Sequence, residues 1–225
     1  MNRILKKKKA VIFDLDGTLV DSMGMWHEID VAFLGERGIP LPPDLQRDIE
    51  GMGFAEVAAY FRKTFSLDMT LEEIQAVWHR MSYQKYRYEL SLKPGAAVFI
   101  EWLEKKGYRL GIATSNSQEL ARAALMRHGF SDTFQALVTA DEVKAGKPNP
   151  DVYLTAARKL STDPSDCLVF EDLPAGILAG KRAGMTVFAV ADAFSDRMEE
   201  EKRRMADGFI RDFRELLAEE CGGDG

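Results

Sequence analysis

AVIFDLDGTLVDS, residues 10–22, is the stretch from which the fold is read. It climbs through four apolar residues, Ala10-Val11-Ile12-Phe13, and then sets two carboxylates, Asp14 and Asp16, one residue apart. An unbroken apolar run of this length fits a strand buried on both faces, as in a parallel sheet. Two carboxylates held so close repel each other and lose solvation. A fold that keeps both therefore offers them a cation, a shared proton or a reaction. Gly17 lets the chain turn sharply after the strand, and the Thr18 hydroxyl can reach back into that turn.

Similar short apolar runs follow at Leu110 to Ala113, Ala136 to Thr139, Leu168 to Phe170 and Thr186 to Val190, and a last strand is expected at Gly208 to Ile210. Helical stretches separate them. Pro94-Gly95 opens one that stops at Gly107, Asn116 or Ser117 can cap one that runs through His128, and Pro150 suits a first helical turn. Strands alternating with helices imply right-handed crossovers, so the fold class is α/β, a doubly wound parallel sheet covered on both faces. Between the first and second strands lie about ninety residues, too many for a crossover. Apolar residues at three-and-four spacing predict helices there over Asp21 to Arg37, Pro43 to Glu50, Phe54 to Phe65 and Leu71 to Leu90. Gly38-Ile39-Pro40, Gly51-Met52-Gly53 and Asp68-Met69-Thr70 break them. Residues 1–20 and 92–225 are thus expected to form the core, and 21–91 an inserted all-helical subdomain.

The composition narrows the function classes. With 30 basic against 36 acidic residues the net charge is −6, which disfavours a broad grip on nucleic acid or anionic lipid and leaves a small polar metabolite as the expected partner. Two cysteines, Cys167 and Cys221, are too few for a disulfide framework, so a reducing cytoplasm is expected. No apolar run reaches membrane-spanning length, and the start lacks the pattern of a signal peptide. The lysines Lys6 to Lys9 read as a solvated lead-in to the first strand, the tail from Cys221 to Gly225 as disordered, and the protein as a monomer.

In an open parallel sheet ligands bind outside the carboxyl ends of the strands. Four such ends carry polar residues: Asp14 and Asp16 with Gly17-Thr18, then Thr114-Ser115-Asn116, then the loop to Lys147, then Glu171-Asp172. Carboxylates on adjacent ends are hard oxygen ligands suited to Mg²⁺ beside a phosphate. A hydroxyl, backbone amides and one lysine supply the counterpart for the phosphate's other oxygens. Asp141 and Lys144 read as solvated loop residues, and Met23, Met25 and Met52 as packing.

At these residues the chain resembles the haloacid dehalogenase superfamily, in its phosphatase and phosphomutase branch with a helical cap. Asp14-Leu-Asp16-Gly-Thr18 resembles the family's first motif, Thr114 the second, Lys147 before Pro148 the third, and Glu171-Asp172 the fourth. The surrounding GKPNPDVY and FEDLPAGILAGKRAGM are similar to the usual settings of those motifs. Four motifs in the right order are a strong signal where one alone is weak. The resemblance implies a phosphoric monoester hydrolase with Asp14 as nucleophile, forming an aspartyl-phosphate, and Asp16 as general acid and then base. It implies Mg²⁺ held by Asp14, the backbone carbonyl of Asp16 and Asp172, with Glu171 either a further ligand or, more readily, the group that orients Asp172. Thr114 and Lys147 would hold the transferring group, Lys147 also pairing Asp14.

Substrate choice falls to the cap. The related β-phosphoglucomutases carry a cap arginine after the turn that resembles Gly51-Met52-Gly53, where this chain has Phe54-Ala55 and its nearest arginine is Arg62. Trp26 stands where those mutases have an acid-base histidine, and His27 is one residue out of register, roughly 100° around a helix. Both departures favour a phosphatase that hydrolyses a small phosphomonoester, such as a sugar phosphate, phosphoglycolate or a nucleotide, with a β-phosphoglucomutase-type mutase as the alternative. Ser115, Asn116, Trp26, His27, Gly53 and Phe54 join Thr114 as candidates for substrate contact, His27 being more readily a surface or packing residue.

Overall fold

The computed structural model describes residues 5, 7–49 and 52–221, the side chains of 218–221 excepted. Lys6 of the lysine run, Glu50 at the end of an expected helix, Gly51 of the break after it, and residues 222–225 of the tail lie outside this set.

Six strands form one sheet: β1 (Ala10–Phe13), β2 (Arg109–Thr114), β3 (Ala136–Thr139), β4 (Cys167–Glu171), β5 (Thr186–Val190) and β6 (Gly208–Ile210). Their order is β3-β2-β1-β4-β5-β6, and every pairing is parallel. Chain order reverses at β1, which pairs with β2 on one side and β4 on the other, so the crevice for a ligand opens beside its carboxyl end. All four residues of β1 are buried because both faces of the sheet are covered. Val11 and Phe13 point to one layer, Ala10 and Ile12 to the other.

The first layer contains α5 (Ala96–Lys105), α6 (Gln118–Arg127) and α10 (Arg214–Cys221), and its apolar cluster runs on into the inserted helices. The second contains α7 (Asp151–Lys159) and α8 (Pro174–Arg182). A further helix, α9 (Glu199–Met205), has the sequence EEEKRRM, whose polar surround hides it from any periodicity argument. Among the described residues no helix is long and apolar enough to cross a membrane.

The insertion holds α1 (Met23–Gly35), α2 (Leu45–Asp48), α3 (Phe54–Thr64) and α4 (Leu71–Tyr88). Of these α2 is much shorter than its expected span from Pro43: Asp44 adopts a non-helical conformation and makes no side-chain cap. Thr70 and Glu73 form a reciprocal capping box that fixes the start of α4. At the far end of α4, Arg127 of α6 donates to the carbonyls of Tyr88, Glu89 and Leu90, which anchors the helix to the core. The outgoing and returning segments lie side by side: Asp21 N donates to Ser91 O at 2.9 Å, and Lys93 N to Leu19 O at 2.8 Å.

Phe13 is the centre of the first layer, its ring 5.2 Å from Phe170 and within about 6.3 Å of Phe99, Phe134 and Phe213. Phe13→Ala removes a fully buried ring from a packed site, so a loss of about 3–5 kcal/mol is expected in urea unfolding. A loss below about 1 kcal/mol would contradict this packing account.

Candidate active site

The carboxyl ends of β1 and β4 bring Asp14, Glu171 and Asp172 together, one oxygen of each within 4.8 Å of the others. Lys147 reaches them from the loop after β3 and donates to Asp14 Oδ1 at 2.6 Å and Glu171 Oε1 at 2.5 Å. All four side chains are buried. Burial pushes the Asp14 carboxyl up to about 7 against the opposing pull of Lys147. Asp172 is raised well above the usual carboxylate range, by burial first and then by the charges of Glu171 and Asp14. The Lys147 ammonium is held above its ordinary value because Asp14 and Glu171 outweigh the lowering effect of burial.

Three carboxylates facing one lysine leave excess negative charge in a low-dielectric setting. One of their oxygens, Asp172 Oδ2, is buried with no hydrogen-bond partner among the described residues, while Oδ1 accepts from Thr18 Oγ1 at 3.2 Å. Gly17, at φ +76°, sits so close that a Cβ there would overlap Asp172 Oδ2. An orphaned buried acceptor inside an all-oxygen donor set fits a hard divalent cation. Glu171 is a different case. Its Oε1 accepts from Lys147 and from the Tyr153 hydroxyl at 2.9 Å, and its Oε2 from the backbone amides of Asp172 at 2.9 Å and Leu173 at 3.1 Å. Four donors occupy the carboxylate, so although it lies within reach of an ion its geometry is that of a group orienting Lys147 and the turn of Asp172. Gly176 lies against it, where any Cβ would clash.

Asp16 points away from this cluster. Its Oδ1 accepts from Ser22 Oγ at 2.6 Å and from the Tyr86 hydroxyl in a short hydrogen bond, and its Oδ2 accepts from Asn116 Nδ2 at 2.9 Å. Tyr86 in turn accepts from Trp26 Nε1 and Asn116 Nδ2, both at 2.8 Å. Burial and then the charge of Asp16 hold the Tyr86 hydroxyl well above its ordinary pKa, so it stays a donor. Thr114 Oγ1 accepts from Asn116 N at 3.0 Å and orders the loop after β2. Tyr86 and Ser22 escape a motif search. The available signal for Tyr86 was its place at the end of the buried stripe Ile74, Trp78, Ser82, Tyr86 on α4, since a buried tyrosine must find a partner for its hydroxyl.

A cavity of about 160 Å³ joins this cluster to the inserted helices. Asp14, Asp16, Thr114, Ser115, Asn116 and Lys147 line its floor, and Trp26, Phe54, Trp78, Asp30 and Gln46 are among its walls. Two substrate candidates do not line it. His27 packs against Phe194, ring centroids 6.0 Å apart, because one residue of helical rotation turns it off the cavity face. Gly53 caps α3, its amide donating to Glu56 Oε2 at 2.7 Å, and packs against Ala140.

The pattern of the haloacid dehalogenase-like hydrolases matches residues 11–190, and the chain belongs to that family. Hexitol phosphatase A of Escherichia coli is 35% identical over 85% of this chain and 88% of its own, and the β-phosphoglucomutase of Bacillus subtilis is 34% identical over 81% and 82%. The bifunctional riboflavin kinase/FMN phosphatase of Arabidopsis thaliana is 32% identical over 84% of this chain, which spans half the length of that protein. The crystal structure of CbbY from Rhodobacter sphaeroides in complex with phosphate superposes with a TM-score of 0.83 at 24% identity, covering 93% of this chain and 96% of the other, a likeness of fold. Within the family the relatives put the chain with the phosphatases, hydrolases of phosphate esters.

Asp30 is the cavity's other buried carboxyl, brought to about 7 by burial, with the hydrogen bond from Gln46 Nε2 at 3.0 Å pulling the other way. Its value in the fold lies above the 3.8 of a free aspartate, so its contribution to stability is complete below about pH 3.8 and is lost as pH rises through 7. Asp30→Asn is therefore expected to gain stability over the parent as pH rises from about 4 to 8, with a ceiling of about 4 kcal/mol. Thermal unfolding at both pH values checks this, and an equal difference at both would contradict it.

Proposed function

We propose that the chain is a Mg²⁺-dependent phosphatase of small phosphomonoesters, sugar phosphates foremost, that works through a phosphorylated Asp14 beneath a cap formed by residues 21–91. The observation that carries this reading is the buried pairing of Asp14 with Lys147 beside the orphaned Asp172 Oδ2.

Asp14 and Asp172, with the backbone carbonyl of Asp16, would hold the ion. When bound, it would offset the charge between carboxylate and phosphate and polarise the phosphoryl oxygens. The Asp14 carboxylate attacks phosphorus, an oxygen–phosphorus bond forms, and the bond from phosphorus to the ester oxygen breaks. Lys147 holds Asp14 in place and takes up charge on the transferring group. Thr114 and the backbone amides that follow it offer donors to its equatorial oxygens. Asp16 protonates the leaving alkoxide, then takes a proton from the water that attacks phosphorus and frees Asp14. Its two oxygens are aimed by Ser22 and Tyr86 from the inserted residues 21–91 and by Asn116 from the core, so the acid-base group would be oriented from both sides of the cavity.

Hydrolysis, rather than return of the phosphoryl group to a sugar, is supported by the walls of the cavity. Among the described residues that line it the cation is Lys147, and Arg62 lines a separate surface hollow with Lys63. A doubly phosphorylated intermediate would have no cap cation to grip it. The sequence relatives named as phosphatases point the same way.

Assay against a panel of sugar phosphates, phosphoglycolate and nucleotides, with and without Mg²⁺, tests the reading. Release of inorganic phosphate that chelation abolishes and Mg²⁺ restores is expected. Asp14→Asn, isosteric with the parent, should lower turnover by about 10³-fold or more with an unchanged circular dichroism spectrum. Metal-independent turnover, conversion of β-glucose 1-phosphate to glucose 6-phosphate in place of phosphate release, or retained activity in Asp14→Asn would each overturn it.

A further inference from the structure

Met23, Trp26 and Asp30 lie at i, i+3 and i+7 on α1, and all three line the cavity. The face of α1 turned to the substrate is thus apolar except for one carboxyl, which is 6% exposed. Burying a carboxyl is costly unless it is hydrogen-bonded, and an aliphatic side chain would fill that site without the cost. Asp16 is bonded by three donors and Glu171 by four, whereas the Asp30 carboxyl accepts a single hydrogen bond among the described residues, from Gln46. Trp78, on the same cavity, has a buried indole N–H with no acceptor among the described residues. The cap wall therefore offers an acceptor short of donors and a donor without an acceptor.

We propose that Asp30 and Gln46 form the subsite for the leaving group, and that this group is a polyol whose hydroxyls lie away from the phosphate. The inference rests on the phosphatase reading above and adds its substrate class. A hydroxyl both donates and accepts, so it can meet Asp30 and Gln46 together, and Trp78 as well. A second phosphate or a carboxylate only accepts, would leave the Asp30 oxygens without a donor, and would be repelled by the ionised carboxyl. An apolar group would leave the buried polar atoms unmet, the circumstance in which a site discriminates most sharply.

Steady-state kinetics on a hexitol 6-phosphate and on phenyl phosphate, which share the phosphate and differ in the leaving group, test this in the full chain with Mg²⁺. The parent should prefer the hexitol phosphate. Asp30→Ala should lower kcat/KM for it by about tenfold or more, mainly through KM, while phenyl phosphate stays within about threefold. Gln46→Ala should act in the same direction. An equal fall on both substrates, no fall on the hexitol phosphate, or a parent that prefers phenyl phosphate would overturn the subsite. A parent that hydrolyses neither overturns the polyol subsite, and one that also releases no phosphate from the panel above contradicts the phosphatase reading itself. Asp30→Asn, chosen to relieve the buried charge, checks that any loss does not come from unfolding.

Discussion

The arrangement around Asp14 depends on one electrostatic constraint: a buried lysine cannot by itself neutralise three buried carboxylates. Lys147 bonds to two of them, and the third keeps an oxygen with no donor among the described residues. The rest of the structure is arranged to hold this imbalance in place. β1 and β4 run parallel in register, Phe13 beside Phe170, so that Asp14 and Glu171-Asp172 leave the sheet side by side. Glu171 is fixed by Tyr153 and two backbone amides, and glycines at 17 and 176 let the backbone approach where no side chain would fit.

The inserted helices complete the site with opposite chemistry. Their contribution to the cavity is largely aromatic, from Trp26, Phe54 and Trp78, whose rings also pack on one another and on Tyr86. The Tyr86 hydroxyl reaches across to Asp16, which ties the inserted helices to the carboxylate proposed as the acid-base group. On the proposed reading, phosphate chemistry would be confined to the floor, and selection among leaving groups to the few polar atoms of the wall.

Much of this was legible in the sequence for physical reasons. Strands buried on both faces read as unbroken apolar runs, and the six expected strands lie within a residue or so of their observed bounds. The motif residues stand at strand ends, where topology alone brings them together. What escaped depended on long-range packing. Tyr86 lies 70 residues from the carboxylate it touches, and its place on a buried helical stripe calls for a hydroxyl partner without saying which. Asp30 belongs to no motif, and only the packing of its helix shows that it lines the cavity. His27 was a candidate because it stands one residue from the position of a mutase histidine, and that residue of helical rotation packs it against Phe194. Asn116, a candidate for substrate contact, is spent on Asp16 and Tyr86. The fully buried Lys202 lies on a helix with no apolar period, and it donates to Ser195, whose hydroxyl donates to the Asp172 carbonyl.

The account's central claim is that the side chain at position 14 becomes phosphorylated. The direct measurement is to quench the enzyme within milliseconds of mixing with saturating substrate, reduce with borohydride and sequence the peptides by mass spectrometry. An acyl phosphate at position 14 is reduced to homoserine, and that conversion at Asp14, dependent on substrate and absent at Asp16, is the expected result. An unaltered Asp14 during active turnover, or the reduced residue at another position, would contradict the account.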